Sequence, residues 1–309
     1  MIYALRKGFR ALFTVWFVVT LTFVILRASG DPVLSVVNPE NFTRDALEAY
    51  RQRLGLDVPI YEQYVRYLGQ VLNGDFGQSF LYAEDAWSIV VARIPMTLEL
   101  MLPALALMLV LGVPVGVAAA LTRNSPLDRS LMAGSIIFFS LPNFFLGVLL
   151  IFLFSVELRL LPSAGSGSWL HAVLPVFTIG ASGAAVFARF TRSAMLEALS
   201  KPYVLAARAR GLSLGIVVWR HAFPNTLLSL VTVLGFLIGG LIAGAVIVET
   251  IFAWPGLGRL TKHAVQLRDL PVVQVIVFLV TLTMVGTNLT VDLLYAWLDP
   301  RIRSAGGLR

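Results

Sequence analysis

Ala188-Arg-Phe-Thr-Arg192, Tyr203-Val-Leu-Ala-Ala-Arg-Ala-Arg-Gly211 and Arg220-His-Ala-Phe-Pro-Asn225 interrupt a chain otherwise built of long apolar runs. Six of its 24 lysines and arginines fall in this one interval: Arg189, Arg192, Lys201, Arg208, Arg210 and Arg220. A basic segment between apolar runs is expected on the cytoplasmic side of a membrane. Tyr203 to Arg210 consists of small and long helix formers, and Pro202 suits a first helical turn. Gly211 accepts the left-handed backbone that ends a helix. The spacing therefore predicts a short helix on the inner face of a bilayer, offering small side chains to a closely packed neighbour.

Composition supports the bilayer. Of 309 residues 58% are hydrophobic and 13% charged, where a soluble domain carries about a quarter charged residues. The absence of cysteine excludes disulfides, thiolate metal sites and cysteine nucleophiles. The net charge of +7 comes from basic residues scattered at the ends of apolar runs, which answers to membrane orientation and not to a nucleic-acid groove. Arg6, Lys7 and Arg10 precede an apolar run as in a signal peptide. No small-residue cleavage site follows, so an uncleaved first span is expected.

Six apolar runs have the length of spans: Ala11–Leu26, Leu100–Thr122, Ser130–Val156, Ala172–Ala188, Ala222–Val248 and Leu270–Val291. A span needs about 20 residues, and Arg10 and Arg27 can snorkel from the ends of the short first run. With six spans both termini lie on one side. The short loops and tails of that side hold fourteen basic residues and those of the other side four, so both ends are predicted inside. Within the runs, Gly112/Gly116, Gly235/Gly239 and Gly240/Gly244 suit close helix packing. Pro103, Pro114, Pro142 and Pro175 are expected to bend their helices. Between the first and second spans, Thr43–Leu54 reads as a helix with Leu47, Tyr50 and Leu54 on one face. Pro59 opens a second, with Ile60, Tyr64, Tyr67, Leu68 and Val71 at helical spacing up to Asn73-Gly74. These form a small external cap.

The interval around Gly211 resembles the coupling motif of ATP-binding-cassette importer permeases: Glu-Ala-Ala, three residues, Gly, nine residues, Ile, one residue, Leu-Pro. Set on Gly211, the motif places Leu205, Ala206 and Ala207 at its start and His221, Phe223 and Pro224 at its end. The leading Glu is absent and His replaces Ile. The phrases Ala-Arg-Ala-Arg-Gly-Leu-Ser (207–213) and Arg-His-Ala-Phe-Pro-Asn (220–225) are similar to the dipeptide/oligopeptide branch, including its glutathione importers. So are Gly-Asp-Pro (30–32), Leu-Gly-Leu-Asp-Val-Pro (54–59), Gly-Asp-Phe-Gly-Gln-Ser (74–79) and Val-Glu-Thr-Ile-Phe-Ala-Trp-Pro-Gly-Leu-Gly-Arg-Leu (248–260).

The resemblance implies an all-α membrane protein of the type-1 importer permease fold, with six transmembrane helices. It assigns residues 1–28 to the N-terminal tail and first span, 29–96 to a periplasmic helical segment, 97–298 to the permease core with its coupling loop at 189–225, and 299–309 to a cytoplasmic tail. Tyr203, Ala206, Ala207, Arg208, Arg210, Gly211 and Pro224 would couple to an ATPase; Glu249, Trp254, Pro255 and Gly256 would shape the outer mouth. The implied setting is the bacterial inner membrane. The implied partners are a second homologous permease forming a heterodimer, two cytoplasmic ATPase subunits or domains, and an extracytoplasmic binding protein. ATP and magnesium would sit on the ATPase, none on this chain, and the solute would be a peptide or similar small molecule.

The residues themselves narrow the chemistry. Lys7, Lys201 and Lys262 are followed by Gly, Pro and His, so none belongs to a phosphate-binding loop. Gly180-Ala-Ser-Gly-Ala184 resembles the nucleophile motif of rhomboid intramembrane proteases, but the last span has no histidine to act as base. His171, eleven residues before Ser182, lies about 16 Å away along a straight helix. Glu249, Asp292 and Glu99 lie at span ends, whereas an ion-coupled secondary carrier is expected to keep ionisable groups near the midplane. No histidine or carboxylate spacing suits a metal. A transport subunit without its own enzymatic activity is the expectation; a secondary carrier and an intramembrane protease are the rivals.

Overall fold

The computed structural model describes residues 2–28, 48, 52 and 57–298, and over these the secondary structure is helical. The predicted helix at 43–54 lies outside the described residues, apart from Glu48 and Gln52, which are helical. The helices longer than one turn are α1 (Ile2–Ala28), α2 (Ile60–Leu72), α3 (Ala86–Val91), α4 (Ile94–Leu121), α5 (Pro126–Ser140), α6 (Asn143–Leu150), α7 (Leu170–Leu199), α8 (Pro202–Ala209), α9 (Phe223–Ile251), α10 (Leu257–Gln266) and α11 (Leu270–Leu298). π-Helical turns continue α6 over Ile151–Glu157 and lead into α9 over Val217–Ala222. Among the described residues four helices are long and apolar enough to cross a membrane, or six if each of two bent pairs makes one span. The chain divides into two compact units, Met1–Pro95 with Gly256–Val285, and Met96–Pro255 with Gly286–Arg309.

In the first unit α2 follows Pro59, as expected, and ends at Asn73 ahead of Gly74, whose φ is +72°. Its apolar face is the predicted one but for the first turn: Tyr67 is buried, and Tyr64, Leu68 and Val71 pack beside it, while Ile60 is exposed. Tyr64 and Tyr67 meet Phe23 of α1, and Thr20 shares a 2.7 Å hydrogen bond with the Tyr64 hydroxyl. A second cluster joins Phe76, Ala86 and Val90 to Leu260, Ala264 and Val272 of α10 and α11. Buried Asp269 pins the turn between them, accepting hydrogen bonds from the Ser79 hydroxyl (2.5 Å) and the Phe80 amide (3.1 Å).

The second unit is a bundle whose helices approach through small residues. A Cβ on Gly112 would lie 2.5 Å from Phe187 Cβ, and one on Gly116 would lie 2.5 Å from both the Ala188 carbonyl and Thr191 Cβ. These glycines therefore let α4 pack against α7 at backbone distance. Pro103 and Pro114 lie within α4 and Pro175 within α7 without breaking them. Pro142 does break its run. Leu141 is extended (φ −78°, ψ 120°), as residues before proline tend to be, and α5 and α6 meet at 100°. The apolar run 130–156 is thus two short helices and not one straight span. The fourth run is corrected in the opposite sense, because α7 continues beyond Ala188 to Leu199. Ser-Ala-Met-Leu-Glu-Ala-Leu is good helix-forming sequence even though hydrophobicity has ended. The segment 189–225 is accordingly mostly helical and not an open loop.

Candidate coupling site

α8 forms where Pro202 takes the first helical position after Lys201. It ends in a Schellman arrangement: Arg210 caps it, Gly211 stands at φ +78°, the Gly211 amide donates to the Arg208 carbonyl (2.9 Å) and the Leu212 amide to the Ala207 carbonyl (3.4 Å). No atom outside its chain neighbours lies within 4 Å of a Cβ built on Gly211, so the glycine is required by its φ and not by crowding. Val204 and Ala207, three residues apart, face inward against Met195, Ala198, Val217 and Val218. This seats α8 on the end of α7 and on the π-helical turn before α9.

The opposite face is open. Tyr203 (42% exposed) and Leu205 (55%) stand out with Ala206, Arg208 and Arg210. Ala207, expected among the outward contacts, is instead 5% exposed and belongs to the helix's own seat. Leu205, which marks only a degenerate motif position in sequence, is the most exposed large hydrophobic side chain of the helix. Pro224 lies in the first turn of α9, exposed. Lys201 pairs with Glu197 one turn earlier at 2.8 Å. That hydrogen bond, and then the carboxylate's charge, hold the ammonium pKa above the usual lysine range.

An ion pair beside this seat was not legible in sequence, because its partners stand 64 positions apart. Arg192 of α7 grips Asp128 of α5 with both ends of its fork, Nε to Oδ1 at 2.6 Å and Nη2 to Oδ2 at 2.7 Å. Asp128 is 2% exposed and also accepts from the Asn124 amide, while its own amide donates to the N-capping Ser125 hydroxyl. Bidentate geometry of this kind is directional as well as attractive. It ties the start of α5 to the last turns of α7, from which α8 departs.

At the far end of α9 from Pro224, the residues assigned to an outer mouth form a closed knot. Glu249 is 0% exposed and accepts a hydrogen bond from the Thr97 hydroxyl (2.8 Å). Trp254 is buried; its indole N–H donates to the Met96 carbonyl (2.7 Å) and its amide to the Glu249 carbonyl (2.8 Å). Neither side chain lines an accessible mouth in this conformation. Pro255 is half-buried, and buried Gly256, with φ −96°, caps α10. The left-handed residue of the turn is Ala253 (φ +51°), not a glycine. The Phe252 carbonyl accepts from the Gly165 amide at 2.8 Å.

The Ser182 hydroxyl donates to the Ile179 carbonyl of its own helix, and His171 Nδ1 accepts from the Ser168 amide. Among the described residues no cluster of three metal-ligating side chains occurs. The buried acids Asp128, Glu249 and Asp269 all have hydrogen-bond partners.

Residues 112–304 match the binding-protein-dependent transport system inner membrane component family, and residues 1–101 match the N-terminal family of such membrane components. The glutathione transport system permease protein GsiC of Escherichia coli (strain K12) is 39% identical over 302 residues, covering 97% of this chain and 98% of the relative. The protein of the same name from Salmonella paratyphi A is also 39% identical over 302 residues, with the same coverage. Among solved structures, an inward-facing MetNI methionine transporter matches 68% of this chain and 96% of its own, with TM-score 0.56 and 24% identity. An amino acid transporter crystallised with histidines matches 67% and 92%, with TM-score 0.52 and 18% identity. At these identities the structural matches speak for the fold alone.

Proposed function

Because the chain belongs to the family of binding-protein-dependent transport system inner membrane components, and is thus a multi-pass permease subunit of an ATP-binding-cassette importer, we propose that the open face of α8 is where a separate ATPase chain drives it. The observation that carries this reading is the division of α8 into two faces. Val204 and Ala207 bind it to its own bundle, while Tyr203, Leu205, Ala206, Arg208 and Arg210 face away. A push on that face reaches α7 through the apolar seat and reaches α5 through the Asp128–Arg192 pair.

In this reading α8 lies on the cytoplasmic side, as do both termini, and ATP with its magnesium is held on the ATPase. A second, homologous permease supplies the other half of the pathway, and an extracytoplasmic binding protein delivers the solute. The likeness to glutathione permeases favours a small peptide as that solute. Closure of the ATPase pair moves α8 and opens the bundle outward; hydrolysis returns it. Membrane extraction and affinity purification of this chain tests the reading. A nucleotide-binding chain is expected to co-purify, and to be lost when Leu205 and Ala206 are both changed to Asp while the permease still inserts. Retention of the ATPase by that variant would place the coupling surface elsewhere.

A further inference from the structure

Along its middle turns, α7 presents an accessible stripe to its surroundings. Ser182, Val186, Arg189 and Ser193 recur at steps of four, three and four residues, which puts them on one helix face. Ser182 and Val186 are half-buried and Arg189 and Ser193 exposed, with Phe190 at the edge. The rest of this length, from Ala181 through Ala184, Ala185 and Phe187 to Thr191, is buried. Neighbouring helices expose large apolar side chains as well: Ile136, Ile137 and Phe139 beside Ser140 on α5, and Phe144, Phe145 and Val148 on α6. Those suit lipid. Two serines and an arginine do not.

Arg189 is the telling member. Among the described residues it has no carboxylate within ion-pair distance, and its guanidinium lies 5.4 Å over the ring of Phe139. Phe139 stands eleven residues along α5 from Asp128, about 16 Å by helical rise. The Asp128–Arg192 pair marks the end of the bundle that carries α8. The Arg189 side chain is thus directed from that end into the span instead of snorkelling outward. A charge at such depth is costly against lipid and is found facing a water-filled cavity or a polar partner.

We infer that the Ser182–Val186–Arg189–Ser193 stripe of α7 lines the aqueous path through the importer, and that Arg189 meets a carboxylate of the passing solute there. The inference rests on the importer reading above and adds a solute-facing residue to it. The solute class is an anionic or zwitterionic molecule with a free carboxylate, which every unblocked peptide carries at neutral pH. A guanidinium offers such a group a planar, two-pronged set of donors. Ser182 and Ser193, about 10 Å to one side and 6 Å to the other along the helix, add hydroxyls to the same wall.

The chain has no native cysteine, so single cysteines report cleanly. Ser182→Cys, Ser193→Cys and, as a lipid-facing control, Phe145→Cys are placed in the importer assembled with its ATPase in vesicles. Each is treated with an anionic and a cationic hydrophilic methanethiosulfonate, and labelling of this chain is read by mass. Cysteines at 182 and 193 are expected to react while that at 145 does not, the anionic reagent being about tenfold faster through the field of the nearby cation. In an Arg189→Gln background labelling should persist without the anion preference, and Arg189→Lys should restore it. Cysteines at 182 and 193 as inert as that at 145, in a preparation that retains the ATPase, would overturn the stripe and leave the importer reading intact. An anion preference absent from the start, as a lipid phosphate or a partner's acid on Arg189 would produce, or one unchanged by Arg189→Gln, would overturn the solute-facing role.

Discussion

Gly211 holds its backbone at φ +78° in otherwise open space, so its replacement acts through conformation alone. An L-residue in that region costs about 1–2 kcal/mol, enough to unwind the end of an eight-residue helix. Gly211→Val is expected to abolish solute uptake in vesicles while membrane insertion is unchanged, and Gly211→Asn, which tolerates the left-handed region, should retain most uptake. Equal uptake by the valine variant would remove the end of α8 from the coupling route. Asp128 poses a different question, because it is buried against a guanidinium. Asp128→Ala leaves the Arg192 fork beside an orphaned Asn124 amide, and an uncompensated charge destabilises more than a missing pair does. The apparent melting temperature in detergent should fall by several degrees, and Asp128→Ala combined with Arg192→Met should recover part of the loss. A single variant as stable as the parent would show the pair to be incidental.

Helices α4 and α7 cross where Gly116 faces the Ala188 carbonyl and Thr191. Even one methyl there forces backbone apart, an overpacking that costs about 1–3 kcal/mol. Gly116→Ala should lower the melting temperature, whereas Gly134→Ala on α5, with nothing within 4 Å of its added Cβ, should not. Similar melting of the two variants would contradict the packing described for this crossing. The glycine spacing of this element was legible in sequence, because small residues four apart have few other uses in an apolar helix. The ends and bends of elements were less so. Apolar composition located the run at 130–156, but the same composition suits a straight helix and two helices at 100°; only the choice at Leu141-Pro142 distinguishes them. Hydrophobicity marked Ala188 as the end of α7, although helix propensity carries the backbone on to Leu199.

Across the whole molecule, what could be read beforehand is what depends on local chemistry: the apolar runs, the short α8, its glycine stop and the family likeness. What could not depends on residues distant in the chain, such as Asp128 with Arg192, Thr97 with Glu249, and Trp254 with the Met96 carbonyl. The inward turn of Ala207 belongs to the same class, since only the packed bundle decides which face of an eight-residue helix is covered. The proposed coupling is mechanical: a small helix fixed to the bundle by one face is moved through the other. Cross-linking measures this most directly, in the importer purified with its ATPase and starting from a chain without cysteines. Leu205→Cys and Ala206→Cys are each treated with a short bifunctional thiol reagent against cysteines placed on the ATPase surface. Both should join to the ATPase chain, with yields that change between ATP-bound and nucleotide-free states, and Val204→Cys, buried in the seat, should not. Intact complexes in which neither position 205 nor 206 can be joined to the ATPase, in any nucleotide state, would contradict the account.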